Sequence, residues 1–168
     1  WRDWSSRRVL FRSGEWKEFY ESGHQKSIGN YVDGKREGEW RFSHENDSLE
    51  QIGQYVKGKP NGSWKWYYPN GALRREETYV NGKEEGAMKE YDESGNVIAE
   101  GQYTDGKQQG DWKFKMNGYT AEGKYVDGKE DGIWKQFYDD GKPAFEGEYL
   151  DGQETGEHKY YYPNGRIS

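Results

Sequence analysis

The sequence contains no cysteine and only four prolines among its 168 residues. Without cysteine there can be no disulfide, no thiolate metal site and no cysteine nucleophile, and the redox compartment is left open. No apolar run approaches the roughly 18 residues that a membrane-spanning helix needs, and helical periodicity is absent. Apolar residues make up only 30% of the chain, a fraction that in most chains indicates disorder.

The chain also lacks a surplus of positive charge. Its 25 lysine and arginine residues are intermixed with 31 aspartate and glutamate residues, which gives a net charge of -6. No basic stripe of the kind that neutralises phosphates is present. We therefore expect no nucleic-acid partner, and an anionic membrane is an unfavourable partner for the same reason.

Aromatic residues are abundant instead, with 15 tyrosines, eight tryptophans and six phenylalanines. Each buries a large area, so the chain can fold without a thick hydrophobic core. This composition favours a thin sheet.

The chain is internally repetitive, with a period of 24 residues except for one unit of 22 and an incomplete last unit. Each unit opens with a glycine: Gly14, Gly38, Gly62, Gly86, Gly110, Gly132 and Gly156. We divide the chain into seven repeats, residues 14–168, and an N-terminal cap, residues 1–13. Trp1, Trp4 and Phe11 in the cap depart from the repeat, and we expect this segment to cover the first strand.

Two glycine-containing turns divide each unit into a hairpin. The second turn is an Asp-Gly or Asn-Gly pair, typical of two-residue type I′ turns in which both residues have positive φ: Asp33-Gly34, Asn81-Gly82, Asp105-Gly106, Asp127-Gly128 and Asp151-Gly152. The first turn is predicted to be of the same kind: Ser22-Gly23, Asn70-Gly71, Ser94-Gly95, Asn117-Gly118 and Asn164-Gly165. The chain is therefore predicted to be all-β, an elongated single-layer antiparallel meander of tandem hairpins with about 13 strands.

Counting outward from the first turn gives the cross-strand register. The third residue of a unit then faces a glycine within the second strand: Trp16 with Gly29, Trp40 with Gly53, Met88 with Gly101, Trp112 with Gly123 and Trp134 with Gly147. We expect each indole to lie over the glycine that it faces. Opposite charges also face each other: Lys65 with Glu76, Lys89 with Glu100, Lys113 with Glu122 and Lys135 with Glu146. Trp64 faces Glu77, and the sequence offers no reason for this exception.

Period-two alternation places the tryptophans and most tyrosines on one face, where they are predicted to form the core. The other face carries the Lys–Glu pairs and five interleaved aromatic residues, the predicted partner-binding residues: Phe19, Tyr67, Tyr91, Phe137 and Tyr161. Aromatic rings among mixed charges are typical of protein interfaces. A purely structural role for the five, or stacking on carbohydrate or single-stranded nucleic acid, remains an alternative.

The chemistry of an enzyme or metal site is weakly represented. Carboxylates are abundant, but most lie at turns or opposite lysine, and a single-layer sheet offers no pocket to separate two pKa values. His24, His44 and His158 lie in three different units without metal-ligand spacing. We predict no catalytic residue, no metal and no cofactor, and an enzyme acting on glycans is the third class of function considered.

The run from Glu122 to Trp134, Glu-Gly-Lys-Tyr-Val-Asp-Gly-Lys-Glu-Asp-Gly-Ile-Trp, recurs in nearly every unit and resembles the MORN repeat. The element Gly-x-Trp-x-x-Tyr-Tyr-x-x-Gly, as at 62–71, is more similar to the bacterial MORN-repeat variant. The resemblance covers about residues 14–168. Single units depart from it: Met88 and His158 stand in the tryptophan slot, and Ser43 and Lys115 in an aromatic slot.

The resemblance implies a non-catalytic protein-binding scaffold, most specifically an antitoxin or immunity protein like the YwqK-like antitoxins, which neutralises a partner toxin by binding it. The alternative that it implies is a structural or membrane-associated adaptor. It leaves the compartment open between bacterial cytoplasm and cell envelope, and the oligomeric state open as well.

Overall fold

The structure, a computed structural model, describes residues 13–116 and 118–168, and within these ranges it is one open antiparallel sheet without a helix. The predicted N-terminal cap lies outside the described residues except for Ser13. The strands are β1 Gly14–Phe19, β2 Gln25–Val32, β3 Lys35–Ser43, β4 Leu49–Val56, β5 Lys59–Tyr67, β6 Leu73–Val80, β7 Lys83–Glu84, β8 Gly86–Tyr91, β9 Val97–Thr104, β10 Lys107–Met116, β11 Tyr119–Val126, β12 Lys129–Tyr138, β13 Pro143–Leu150 and β14 Gln153–Tyr160.

Each strand pairs with the next one along the chain, and β1 and β14 are the two edges. The short β7 and the following β8 both pair with β6, so the sheet has 13 strand positions. The predicted all-β meander of tandem hairpins is therefore confirmed.

The second turns are as predicted. Both turn residues have positive φ, for example 49° at Asp33 and 75° at Gly34, as a type I′ turn requires. From Gly58 onward, each second turn is also bonded to the strand that follows the preceding second turn. The Gly58 N–H donates to the Arg36 carbonyl and the Gly82 N–H donates to the Pro60 carbonyl, at 2.9 and 2.8 Å.

The prediction of two-residue first turns is wrong for most units. Gly71 has a positive φ of 86°, but Asn70 does not. The Gly71 N–H donates to the Tyr68 carbonyl and the Tyr68 N–H donates to the Ala72 carbonyl, which encloses a three-residue loop. A bulge between Trp66 and Tyr67 offsets the extra residue, so the predicted register beyond the turn is unchanged. The 22-residue unit keeps the shorter turn, since its Met116 pairs with Tyr119.

The predicted strand pairing is confirmed for all five glycine pairs and all four Lys–Glu pairs. The predicted position of the indoles is wrong. A Cβ atom built on Gly29 would lie 2.2 Å from the ring of Trp40, in the following hairpin, rather than against Trp16, which it faces. Gly53, Gly101 and Gly123 are covered in the same way by Trp64, Trp112 and Trp134.

A bulge at the glycine that opens each unit causes this offset. Between β2 and β3, Asn30 pairs with Glu37 but Ile28 pairs with Arg41, so two additional residues enter β3 at Gly38, whose φ is 72°. A shift of two keeps every side chain on its face. The shift brings Trp40 level with Gly29, and the indole therefore lies across that glycine.

The core is therefore one row of side chains on a single face, here called the tryptophan face: Trp40, Trp64, Met88, Trp112 and Trp134, each no more than 8% exposed. The indole N–H of Trp40 donates to the Asn30 carbonyl at 3.1 Å, and the other three indoles make the equivalent bond. Tyrosine rings meet the indoles edge to face; the Tyr55 and Trp64 centroids, for example, are 5.0 Å apart.

Alkaline pH should weaken this core. Burial and the neighbouring Glu130 raise the pKa of Tyr125 to about 12, and burial and the hydrogen bond to Glu77 raise the pKa of Tyr79. Because tyrosines of the unfolded chain lose their protons near pH 10, the stabilisation is complete below about pH 10 and is lost as the pH rises through about 12. Thermal unfolding followed by circular dichroism across this range, with tyrosinate absorbance as the titration signal, checks this expectation. A midpoint that stays constant up to pH 12 would contradict it.

Candidate binding surface

From β5 to β14, the face opposite the core is crossed by a row of alternating charges, one residue on each successive strand position. The row defines the lysine–glutamate face: Lys65, Glu76, Lys89, Glu100, Lys113, Glu122, Lys135, Glu146 and Lys159. The four predicted pairs have N–O distances of 3.5–3.9 Å and side chains between 36% and 55% exposed. At such exposure each pair adds little stability, and the row presents no field of one sign.

The middle of this row lies in an open groove across β8–β12 with a volume of about 810 Å³. Its charged lining comes from the row itself, including Lys89, Glu100 and Lys113, and its apolar lining includes Ala87 and Ile133. The groove follows the long axis of the sheet. It therefore suits an extended contact.

The five aromatic residues of the predicted site lie at the first-turn ends of alternate strand positions on this face. Phe19 ends β1 and is 59% exposed, whereas Tyr67, Tyr91, Phe137 and Tyr161 are half-buried. Their shared slot is filled by Ser43 and Lys115 in the remaining units. The structure thus brings together two pairs, Tyr67 with Tyr91 and Phe137 with Tyr161, each two strand positions or about 10 Å apart. Their role in partner binding stays a prediction.

The five aromatic residues define the aromatic edge of this face. Hydrogen bonds hold its backbone from one repeat to the next. The Tyr68 hydroxyl donates to the Tyr91 carbonyl at 2.8 Å, and the Tyr138 hydroxyl donates to the Tyr161 carbonyl at 2.6 Å. The hydroxyl of Tyr91 itself donates to Glu76, and this bond raises the pKa of Tyr91. Sequence reasoning missed these bonds, although the adjacent aromatic pairs Tyr67-Tyr68 and Phe137-Tyr138 are their signal. The edge is therefore held on a rigid frame, as a recognition surface requires.

The opposite long edge of the same face carries an exposed aliphatic row that sequence reasoning also missed. Its members precede the second turns: Val32 (50% exposed), Val56 (43%), Val80 (48%), Val126 (39%) and Leu150 (63%). Ion pairs between successive repeats hold the neighbouring turns, as in Lys83–Asp105 at 2.5 Å and Lys129–Asp151 at 2.6 Å. The lysine–glutamate face therefore has apolar side chains along both long edges and self-paired charges between them.

The three histidines lie apart, and each contacts a different residue. His24 contacts Asp47 at 2.7 Å, the His44 ring bonds to the Tyr67 carbonyl, and His158 lies 3.7 Å from Glu154. Within residues 13–116 and 118–168, no group of three or more potential ligands could hold a metal ion. The same ranges contain no helix long and apolar enough to cross a bilayer.

The family model described as "MORN repeat variant" matches residues 12–33, 36–57, 60–81, 84–105, 130–151 and 154–168, more than half of the chain. The chain therefore belongs to the MORN repeat variant family, whose tandem hairpins form a repeat scaffold. The matched segments skip the 22-residue unit, although β10 and β11 form the same hairpin there.

No curated protein matches the chain. Among solved structures, a "Crystal structure of GtfA/B complex bound to UDP and GlcNAc" is similar over 58% of this chain and 19% of that chain, with 10% identity and a TM-score of 0.25. This chain thus spans about a fifth of the length of that protein. A likeness at this TM-score carries no argument about function.

Proposed function

We propose that this chain is a non-catalytic scaffold that binds another protein through its lysine–glutamate face, and that the partner is a toxin which it neutralises by covering it. The observation that carries the proposal is the difference between the two faces. The tryptophan face is occupied by its own core, with Trp40 and Trp64 at most 1% exposed. The opposite face leaves apolar side chains uncovered along both long edges, including Phe19 at 59% and Leu150 at 63%.

The dimensions of this face favour a protein partner over a small ligand. Thirteen strand positions extend over roughly 60 Å at about 4.8 Å per strand. Interfaces of standard size bury about 800 Å² on each partner, and a face of this length provides that area. Rings and aliphatic groups would supply most of the affinity, while the paired charges would set specificity.

The antitoxin role rests on the resemblance to antitoxins of the repeat family, and occlusion is the mechanism that such a surface allows. A structural or membrane-associated adaptor is the alternative. Anionic lipid is a poor match for a chain of net charge -6 whose exposed lysines are paired with glutamates.

Alanine replacement of Tyr67 and Tyr91 together should weaken binding of the cognate toxin about a hundredfold or more. The reason is that the two rings are neighbours on the aromatic edge, so the double variant removes the aromatic contact from that half of the edge. The thermal midpoint should move only slightly, since both side chains are half-buried and lie outside the core row. The measurement is titration calorimetry with the toxin encoded beside this gene, together with rescue of growth when both are co-expressed.

A matched double variant, Val56→Ala with Val80→Ala, removes side chains from the opposite edge of the face, on the neighbouring strands β4 and β6. If it weakens binding as much as the tyrosine variant, the aromatic edge is not the determinant. If the tyrosine variant stays folded and binds normally, the site assignment is wrong. If the neighbouring gene product neither binds nor is toxic, the antitoxin role is wrong.

A further inference from the structure

A second cavity opens on the tryptophan face near the C-terminal end of the sheet, with a volume of about 420 Å³. It is lined mostly by aromatic residues of β11–β14, among them Tyr119, Tyr138, Phe145, Tyr149 and Tyr160, and no lining residue is charged. A volume of this size is within the range of small-molecule sites. Most of its lining belongs to the core face, and of the five predicted partner-binding residues it includes Tyr161 alone.

One residue beside this space differs from its counterparts in several other units. In three other units the slot two residues after the tryptophan holds a ring that packs against the indole: Phe42 on Trp40 at 6.0 Å, Trp66 on Trp64 at 6.0 Å and Phe114 on Trp112 at 5.5 Å. In β12 this slot holds Gln136, which lines the cavity. Across the strand pair, Gln136 faces Phe145, which is 7% exposed and lines the cavity as well.

The walls of the cavity are fixed by contacts of their own. The rings of Tyr119 and Tyr138 have centroids 5.3 Å apart, and those of Phe145 and Tyr160 are 5.1 Å apart. The Tyr138 hydroxyl is held by the Tyr161 carbonyl at 2.6 Å. A pre-organised wall of this kind lowers the entropic cost of binding a ligand.

Corresponding aromatic clusters in the first half of the sheet contain a cation from the chain itself. The guanidinium of Arg36 lies 4.4 Å from the centroid of Trp40, 5.5 Å from that of Phe42 and 5.3 Å from that of Tyr55. Within the described ranges, the rings that have a lysine or arginine over them all fall between Tyr20 and Tyr68.

The C-terminal cluster has a carboxylate where the Trp40 cluster has Arg36. The repeat aligns Arg36 with Glu130 in β12 and Glu154 in β14. Glu154 pairs with Tyr149 across β13 and β14, next to the aromatic lining. Glu154, which lies 3.7 Å from His158, therefore places a carboxylate beside the cavity where Arg36 places a cation over the rings.

We propose that this cavity binds an organic cation of the quaternary ammonium class, whose methylated nitrogen would lie against the rings of Tyr138, Phe145 and Tyr160. Such a cation is weakly hydrated and is attracted to ring faces within about 6 Å. Neighbouring carboxylates and the overall negative charge of the chain raise its local concentration. The headgroup can belong to a free molecule such as choline or to a choline lipid.

Titration calorimetry with choline chloride, and with vesicles of phosphatidylcholine, tests the site on the full chain. Choline should bind about tenfold more tightly than its neutral carbon analogue 3,3-dimethylbutanol. Binding to vesicles as well as to free choline would identify the lipid headgroup as a source. Equal binding of the neutral analogue, tighter binding of N-acetylglucosamine, or no choline binding at all would overturn the proposal.

Gln136→Phe is the decisive variant because Gln136 lines the cavity, and a ring in this slot, as at Phe42 and Phe114, would take up part of the space. It should leave the thermal midpoint unchanged or raised and weaken choline binding at least about tenfold. Glu90→Phe, in the same slot of β8, is the matched control and should bind choline normally. A folded Gln136→Phe protein with unchanged affinity would place any choline site elsewhere. Tyr160→Ala, which removes an exposed ring from the wall of the cavity, should also weaken choline binding.

Discussion

Replacement of Gly123 by alanine is expected to destabilise the protein by about 3 kcal/mol or more, although the change adds a single methyl group. The new Cβ would lie 2.2 Å from the Trp134 ring, which is 8% exposed and anchored to the Lys124 carbonyl. The indole cannot move away from the new methyl group without losing that hydrogen bond and the contact with the Tyr125 ring, whose centroid is 5.0 Å away. Denaturant unfolding followed by tryptophan fluorescence measures the loss.

Gly95 provides the matched control because its constraint is of the opposite kind. A Cβ atom there meets nothing within 4 Å, but its φ of 84° disfavours any side chain. Gly95→Ala should therefore cost only the conformational strain of about 1–2 kcal/mol. Combining Gly123→Ala with Trp134→Leu should show less loss than the two separate losses added together. Equal small losses at Gly123 and Gly95 would mean that the indole does not need the space.

The sequence could predict the register because two deviations cancel. A three-residue loop lengthens the first turn at Gly71, and a bulge between Trp66 and Tyr67 removes the surplus, so counting from a two-residue turn gives the correct partners. The offset of the indoles could not be predicted in this way. It depends on the positive φ of glycines such as Gly38, and a glycine in a repeat pattern does not reveal whether it serves a turn, a bulge or a close approach.

Alternation was sufficient to assign the candidate site to a face, because a shift of two residues leaves every side chain on its side. The gaps in the aromatic edge at Ser43 and Lys115 were visible in the sequence as well. The bond from Tyr68 to the Tyr91 carbonyl was not, since it spans 23 residues and two strand positions. The residues of the aliphatic row are visible in the sequence, but the pattern identifies residues such as Val80 only as the ends of strands.

The offset also explains the exception at Glu77, which stands in a glycine slot. By the register of the other hairpins, the residue that should cover position 77 is Met88, the one member of the core row that is not a tryptophan. Glu77 is 5% exposed, accepts hydrogen bonds from Arg75 at 2.9 Å and from Tyr79 at 2.6 Å, and fills the space that an indole would take. The two departures from the repeat are therefore one compensated change. A flexible methionine can pack around a carboxylate that a rigid indole could not.

Exchange of this pair for the common repeat residues should show strong coupling. Met88→Trp alone should destabilise the protein by about 3 kcal/mol or more, because the indole would collide with the Cβ of Glu77 as it would at Gly29. Glu77→Gly alone should cost about 2 kcal/mol, since it breaks a buried ion pair whose Arg75 partner is still 30% exposed and leaves a gap beside Met88.

The double variant Glu77→Gly with Met88→Trp should recover most of both losses, because an indole over a glycine is the arrangement of the neighbouring hairpins. A double-mutant cycle from denaturant unfolding measures the coupling, which we expect to exceed about 2 kcal/mol in the stabilising direction. Trp64→Phe combined with Glu77→Gly serves as the control pair. These residues face each other by register, but the indole of Trp64 covers Gly53 instead, so their coupling should be small. Strictly additive losses for Glu77 and Met88, or stronger coupling of Glu77 with Trp64, would show that the indole offset does not govern which residues may occupy the core row.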